Sequence, residues 1–241
     1  MEWAWFFDID GTLVELADTP DVIVVKSEVP RMLEDLHELS GGAVGLITGR
    51  AIADVDRMMP MPGTAIAGQH GLELRLADGT LVTHPVRSEN LTRVRLHLID
   101  AVAKHEGLMA EYKGLSIALH YRGAPRLAGY AHRMMRSLRA RYVPDFVIQK
   151  GKRVVELKPA GKDKGVAIRE LMLESPFSGR TPVFIGDDAT DELGFKVVNQ
   201  LGGHSIKIGG GRTNAKWRLR DVDALMRWLG DGVRSASGVA Q

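Results

Sequence analysis

Apolar residues along this chain fall into short continuous runs separated by longer stretches of helical spacing, and the two kinds alternate. Trp3 to Phe7 is an aromatic run too short for a helix and right for a buried strand. A polar, proline-containing passage, Glu15 to Glu28, follows. Pro30 then opens a stretch with Met32, Leu33, Leu36 and Leu39 on one helical face, closed by Gly41-Gly42. Ala43 to Ile47 is a second apolar run that stops at Thr48-Gly49-Arg50. Ile52, Val55 and Met58-Met59 mark the next helix, which Pro60 ends. Strand, helix, strand, helix at this spacing predicts a parallel α/β sheet. Ligands of such sheets bind beyond the carboxyl ends of the strands. Asp8 and Thr48 are therefore expected at one edge, though far apart in sequence.

The rhythm changes in the middle of the chain. Ala65 to Gly71 reads as a strand running into a loop. Leu72 to Leu76 and Leu81 to Val86 flank Asp78-Gly79, a two-residue hairpin signal. Leu91, Val94, Leu98 and Val102 mark a helix, Leu115 to Tyr121 alternates as a strand, and Leu127 to Tyr142 is an arginine-rich helix. Phe146 to Gln149 and Val154 to Leu157 read as strands around Lys150-Gly151-Lys152. This predicts a self-contained unit over residues 82–157, inserted into a core of residues 1–81 and 158–241. The core resumes with a helix carrying Val166, Ile168, Leu171 and Met172, then a strand from Pro182 to Ile185. A helix burying Leu193, Val197 and Val198 follows, and Ser205 to Ile208 is expected as the last strand. A helix from Asp221 to Leu229 and a frayed polar tail, Gly232 to Gln241, complete the expectation. The fold class is thus α/β: a doubly wound parallel core sheet with an inserted α/β unit.

Composition narrows the chemistry. Among 241 residues, 32 Lys and Arg against 30 Asp and Glu leave a net charge of +2, no global field that would favour nucleic acid. Arg133, Arg136, Arg139 and Arg141 read as the solvated face of their helix. With no cysteine, thiol catalysis, thiolate metal sites and disulfides are excluded together. No stretch approaches the roughly 18 apolar residues of a spanning helix, and no secretory signal is evident. A monomeric cytoplasmic enzyme acting on a small molecule, with no nucleic acid or membrane partner, is expected. Gly209-Gly210-Gly211 is no nucleotide phosphate loop, because no Gly-Lys-Ser/Thr follows it.

Chemistry concentrates where strands end. Asp8 and Asp10 alternate on an extended backbone, so both can face one site, and Gly11 permits the sharp exit after them. Paired carboxylates repel unless a cation sits between them or one holds a proton. The pair suits a hard dication together with a carboxylate nucleophile and a neighbouring acid/base. Taken alone it is equally an acidic turn capping a strand. Thr48-Gly49-Arg50 reads alone as a helix N-cap, Lys164 as a solvated lysine, and Asp187-Asp188 as a cap on the next helix.

The order Asp8/Asp10, Thr48, Lys164, Asp187/Asp188/Asp191 resembles the four motifs of haloacid dehalogenase (HAD)-like phosphohydrolases. The resemblance implies a HAD-like core and a magnesium cofactor. It implies Asp8 as nucleophile and Asp10 as the acid that protonates the leaving oxygen, then activates water and offers its carbonyl to the metal. Thr48 would hold the transferred phosphoryl and Lys164 would offset charge. Asp187 would complete the metal site, with Asp188 or Asp191 reaching it directly or through water.

Longer segments are similar to the trehalose-6-phosphate phosphatase family. They are Gly68 to Glu73, Glu111-Tyr112-Lys113-Gly114, His120-Tyr121-Arg122, Val155 to Pro159, Phe184 to Glu192 and Thr213 to Leu219. This resemblance implies a C2-type α/β cap that closes over a sugar. Gly49, Arg50, His70, Gly71, Glu73, Lys113, Arg122, Glu156 and Lys158 are its implied substrate-binding residues. Tyr112 stands where an acidic residue is common, and Lys158 where arginine also occurs. The implied reaction is hydrolysis of trehalose 6-phosphate. The alternatives are another sugar phosphate, such as sucrose 6-phosphate or mannosyl-3-phosphoglycerate, or a non-catalytic carbohydrate-binding module.

Overall fold

The computed structural model describes residues 2–16, 25–83 and 89–236. They divide into two compact units, Met1–Thr83 with Asp163–Gln241, and His84–Lys162.

The first unit is built on β1 (Trp3–Phe7), α1 (Glu28–Leu39), β2 (Val44–Ile47), α2 (Ile52–Met58), β3 (Ala65–Gly68), β4 (Glu73–Arg75) and β5 (Leu81–Thr83). The second contributes α3 (Glu89–Lys104), β6 (Met109–Tyr112), β7 (Ile117–His120), α4 (Ala128–Tyr142), β8 (Phe146–Gly151) and β9 (Val154–Pro159). The chain returns to the first unit through α5 (Lys164–Leu171), β10 (Thr181–Gly186), α6 (Asp191–Gln200), β11 (His204–Ile208), β12 (Trp217–Leu219) and α7 (Val222–Ala236).

Eight strands of the first unit form one sheet in the order β12-β11-β10-β1-β2-β3-β4-β5. It is parallel from β12 to β3, and β4 and β5 are antiparallel. Successive side chains of β1 serve opposite faces. Trp5 and Phe7 join Leu33 and Leu36 of α1 and Leu225 and Leu229 of α7. Ala4 and Phe6 join Ala167, Ile168 and Leu171 of α5 and Phe195 and Val198 of α6. A strand covered on both faces must be apolar throughout, which is why Trp3 to Phe7 shows no alternation. Each fully buried side chain, Phe6 and Phe7 among them, contributes about 1.5–3 kcal/mol. With both layers filled, the carboxyl ends of β1, β2, β3 and β10 are left to carry the chemistry.

At the opposite ends of the strands, all four tryptophans gather. Trp3 and Trp5 lie 5.3 Å apart and Trp5 and Trp228 lie 6.0 Å apart, measured between ring centroids. With Trp217, His204 and Ile206 they line a groove of about 310 Å³.

The second unit is a four-stranded antiparallel sheet, β6-β7-β9-β8. One face packs on α3 and α4: Ile117, Leu119, Val155 and Leu157 meet Val94, Leu98, Ala131 and Met135. The period of two sends Glu111, Ala118, His120, Glu156 and Lys158 to the other face. That face is polar. The unit also holds every tyrosine of the chain: Tyr112, Tyr121, Tyr130 and Tyr142.

Several elements differ from expectation. Strand β6 was not anticipated, because Met109 to Tyr112 has no fully buried residue to mark a period. Ser205 to Ile208 is not the last strand, since β12 follows and adds the edge beside it. Two of β12's three side chains are exposed, so it carries little apolar signal. The final helix continues to Ala236 instead of stopping at Leu229, because Gly230 packs against Met32 and Arg234 is an i,i+3 partner of Asp231. Only 237–241 of the expected tail, 84–86 of the strand expected to Val86, and 17–24 of the polar passage lie outside the described residues.

Candidate active site

Strand β1 delivers Asp8 to the carboxyl edge, where its N–H donates to Ile185 O of β10 at 2.9 Å. The side chain is buried, and Lys164 Nζ stands 2.8 Å from its Oδ1. Lys164 is the first residue of α5, whose N-cap Asp163 accepts from Val166 N at 3.0 Å. A cation at a helix amino end opposes the dipole. A second carboxylate offsets this: Lys164 Nζ donates to Asp191 Oδ1 at 2.7 Å.

Burial alone would lower the Lys164 pKa, but Asp191 and Asp8 outweigh it and hold the lysine well above its ordinary range. Burial pushes Asp8 well above the usual carboxylate range; Lys164 pulls it back, and Asp191 and Asp187 push it further up. Asp191 is raised by burial too, again opposed by Lys164. Carboxyl oxygens of Asp8, Asp187 and Asp191 all lie within 4.8 Å of one another. Three carboxylates around one bonded lysine leave excess negative charge, and hard oxygen donors are what a magnesium-like dication takes. The donor set fits such an ion.

The approach of Asp187 depends on Gly11. Gly11 sits at φ +83°, and a Cβ placed on it would lie 2.4 Å from Asp187 Oδ2. Any side chain there would drive the carboxylate away. Asp191 organises the same loop from beneath, fully buried, accepting at Oδ2 from the N–H groups of Asp187 and Asp188 at 2.9 Å each. Asp188 turns elsewhere and caps its own turn: Oδ1 accepts from Thr190 N at 2.6 Å and Thr190 Oγ1 at 2.7 Å. Asp188 and Asp10 are therefore not in the cluster of three carboxylates.

Asp10 instead meets Arg50, whose Nε and Nη2 each donate to its carboxylate at 2.7 Å. Arg50 was expected at the substrate; in the structure its guanidinium grips the expected acid/base with both prongs. Thr48 is fully buried at the end of β2, its Oγ1 accepting from Arg50 N at 3.1 Å. The loops after β2 and β3 are stitched together by Gln69 N to Arg50 O at 2.8 Å and His70 N to Thr48 O at 2.9 Å. Gln69 and His70 take φ of +46° and +58°, a left-handed geometry that costs on the order of 1–3 kcal/mol per residue and persists where surroundings enforce it. The His70 ring lies over Gly49, within 2.8 Å of where a Cβ would be, and Gly71 backs onto Ala167 of α5. Glu73 has a structural task. Its Oε2 accepts from Ile52 N at 2.9 Å, the open amino end of α2, and its Oε1 accepts from Gln69 Nε2.

In the second unit, the polar sheet face is a connected set. Ser116 Oγ donates to Glu156 Oε1 at 2.6 Å, and Lys113 Nζ stands 3.5 Å from Glu156 and 3.8 Å from Glu111. Glu111 also bonds His120 Nε2 at 2.8 Å. Burial would raise Glu111, but the His120 bond and Lys113 bring it below the usual carboxylate range. Lys158 is buried and donates to Lys162 O; Arg122 lies half-buried just past β7. Ser116, Glu111 and His120 belong to this connected set and were not anticipated. The signal for the last two was their place on alternate positions of adjacent strands, visible only once β6 is known.

Residues 6–223 match the family model described as Trehalose-phosphatase. A trehalose-6-phosphate phosphatase of Escherichia coli (strain K12) is 44% identical over 230 residues, 95% of this chain and 85% of that protein. Among solved structures, a trehalose-6-phosphate phosphatase related protein superposes with a TM-score of 0.84 at 24% identity, covering 98% of this chain and 99% of that one. A haloacid dehalogenase-like hydrolase from Bacteroides thetaiotaomicron superposes with a TM-score of 0.65 at 16% identity, covering 94% of this chain and 98% of that one. At these identities the two structures speak for the fold, which is HAD-like.

Proposed function

The chain belongs to the trehalose-phosphatase family, and from that premise we propose that it hydrolyses trehalose 6-phosphate to trehalose and phosphate through a phosphorylated Asp8. It is a phosphoric monoester hydrolase. The observation that carries the reading is the convergence of Asp8, Asp187 and Asp191, with only partial neutralisation by Lys164.

Asp8 forms the bond to phosphorus as the bond from phosphorus to the sugar 6-oxygen breaks. Asp10 in its protonated form gives the proton to that leaving oxygen and becomes a carboxylate, and Arg50 keeps the carboxyl group aimed. Asp10 then takes a proton from water, which attacks phosphorus and frees Asp8. Thr48 and Lys164 hydrogen-bond and neutralise the phosphoryl oxygens, the main requirement of phosphoryl transfer. Asp8, Asp187 and Asp191 would hold magnesium, which when bound would supply the remaining neutralisation that an anionic carboxylate needs to approach an anionic phosphate. Lys113, Glu156 and Lys158, with Glu111, bond the sugar hydroxyls. His70, Gly71 and Arg122 complete the substrate contacts, while Glu73 shapes the loop that carries His70.

In this reading the enzyme is a cytoplasmic monomer whose partner is a small sugar phosphate. No helix among the described residues is long and apolar enough to cross a membrane. The test is phosphate release from a panel of sugar phosphates with magnesium and with a chelator. Trehalose 6-phosphate should be preferred and the chelator should abolish turnover. Preference for sucrose 6-phosphate or mannosyl-3-phosphoglycerate would end the substrate assignment, and chelator-resistant turnover would end the metal assignment.

A further inference from the structure

The buried charge of Lys207 has no part in the chemistry described so far. Lys207 lies on β11 opposite Gly186 of β10, is only 5% exposed, and donates through Nζ to the backbone carbonyl of Asp187. Burying an ammonium that donates to a backbone carbonyl and not to a carboxylate is costly. Its placement tells what is gained. The carbonyl of Asp187 and the N–H of Asp188 belong to one peptide plane. Asp191 Oδ2 accepts from that N–H at 2.9 Å, so the plane is gripped at its oxygen by Lys207 and at its nitrogen by Asp191. A planar peptide held at both ends cannot swing. Asp187, which hangs from it, is thereby aimed at Asp8.

A second buttress stands behind. Glu192, in the first turn of α6, accepts from Thr213 Oγ1, Asn214 N and Asn214 Nδ2 at 2.7 Å each. Burial would raise Glu192, but these bonds and the nearby Lys207 charge hold it below its ordinary range. Thr213 and Asn214 thus act at a distance, fixing Glu192 in the first turn of α6, next to Asp191.

We propose that Lys207 is a positioning residue that fixes the Asp187–Asp188 peptide and so holds the Asp187 carboxylate in register for the dication. The inference rests on the metal-dependent reading above. Two effects of removing Lys207 oppose each other. Losing a positive charge near the acids would tighten cation binding, whereas releasing the peptide would loosen it. The proposal requires that loosening wins.

The experiment is calorimetric titration of magnesium into the full chain, wild type, Lys207→Met and Lys207→Gln, alongside the magnesium dependence of phosphate release. Expected is magnesium binding about 10- to 100-fold weaker in Lys207→Met, the usual consequence of removing support for a metal ligand. Lys207→Gln, which can still donate to the carbonyl, should fall between. KM for the sugar phosphate should be unchanged at saturating magnesium. Unchanged or tighter magnesium binding in Lys207→Met overturns the inference. Should that variant fail to fold, Lys207→Gln decides: wild-type affinity overturns the inference and weaker binding supports it. A wild type that binds no magnesium overturns the metal reading and this inference together, so the two failures are distinct.

Discussion

Replacing Lys164 by methionine removes the ammonium that stands 2.8 Å from Asp8 and 2.7 Å from Asp191. Both carboxylates are buried, so neither can turn to water for compensation. Stranding a buried charge by deleting its partner costs about 3–5 kcal/mol, and here two acids share the loss, which places the expectation at the upper end of that range. Asp8→Asn removes as much chemistry but leaves Lys164 bonded to Asp191, and it deletes a carboxylate that burial already disfavours. Its stability is expected within about 1 kcal/mol of the wild type, or above it, the scale of one net hydrogen bond. Both variants should release no phosphate. The assay is urea unfolding followed by circular dichroism, with a chelator present so that no dication compensates. Equal destabilisation of the two variants, or a Lys164→Met protein as stable as wild type, would refute the electrostatic account of the site.

Other outcomes follow from the same geometry. Arg50→Lys trades a two-pronged grip on Asp10 for a point contact, so kcat should fall about 10- to 100-fold; a change confined to KM would return Arg50 to the substrate. Gly11→Ala puts a methyl group 2.4 Å from Asp187 Oδ2, and turnover should drop about 100-fold with a raised magnesium requirement, read from a magnesium titration. Glu156→Ala should lower kcat/KM for the disaccharide phosphate about 10- to 100-fold, the equivalent of about 1.5–3 kcal/mol for a hydrogen bond to a charged group. A small aryl phosphate should be turned over as before, and equal losses on both would remove Glu156 from sugar recognition. In pH, Asp8 is raised, so the folded protein binds the extra proton. Its metal-free stability relative to Asp8→Asn should fall as pH rises from about 4 through the elevated value, then level off. Melting temperatures with chelator check this, and a gain in relative stability over that interval contradicts it.

The core was legible where burial leaves a pattern. Trp3 to Phe7, Ala43 to Ile47 and Pro182 to Ile185 are continuous apolar runs because helices cover both faces, and each is a strand. Two of the four edge strands were not, since β6 and β12 are short and half-exposed, and pairing alone defines them. At the site, the order of motifs named Asp8, Lys164 and Asp187, which stand together. What the order could not carry was the division of labour among neighbours. Arg50 turns to Asp10, Asp188 to Thr190 and Glu73 to the end of α2, because each is decided by a partner distant in sequence or by a local turn. Lys207 was invisible for the same reason, a charge in a strand whose meaning lies in the carbonyl it reaches.

The segregation of indole and phenol rings makes the protein its own pair of spectroscopic reporters. Every tryptophan belongs to the first unit and every tyrosine to the second, so emission from the former follows the first unit alone. Tyrosine absorbance follows the inserted unit. Comparing the two during denaturation reveals whether the units melt as one cooperative body or in sequence, with no label attached.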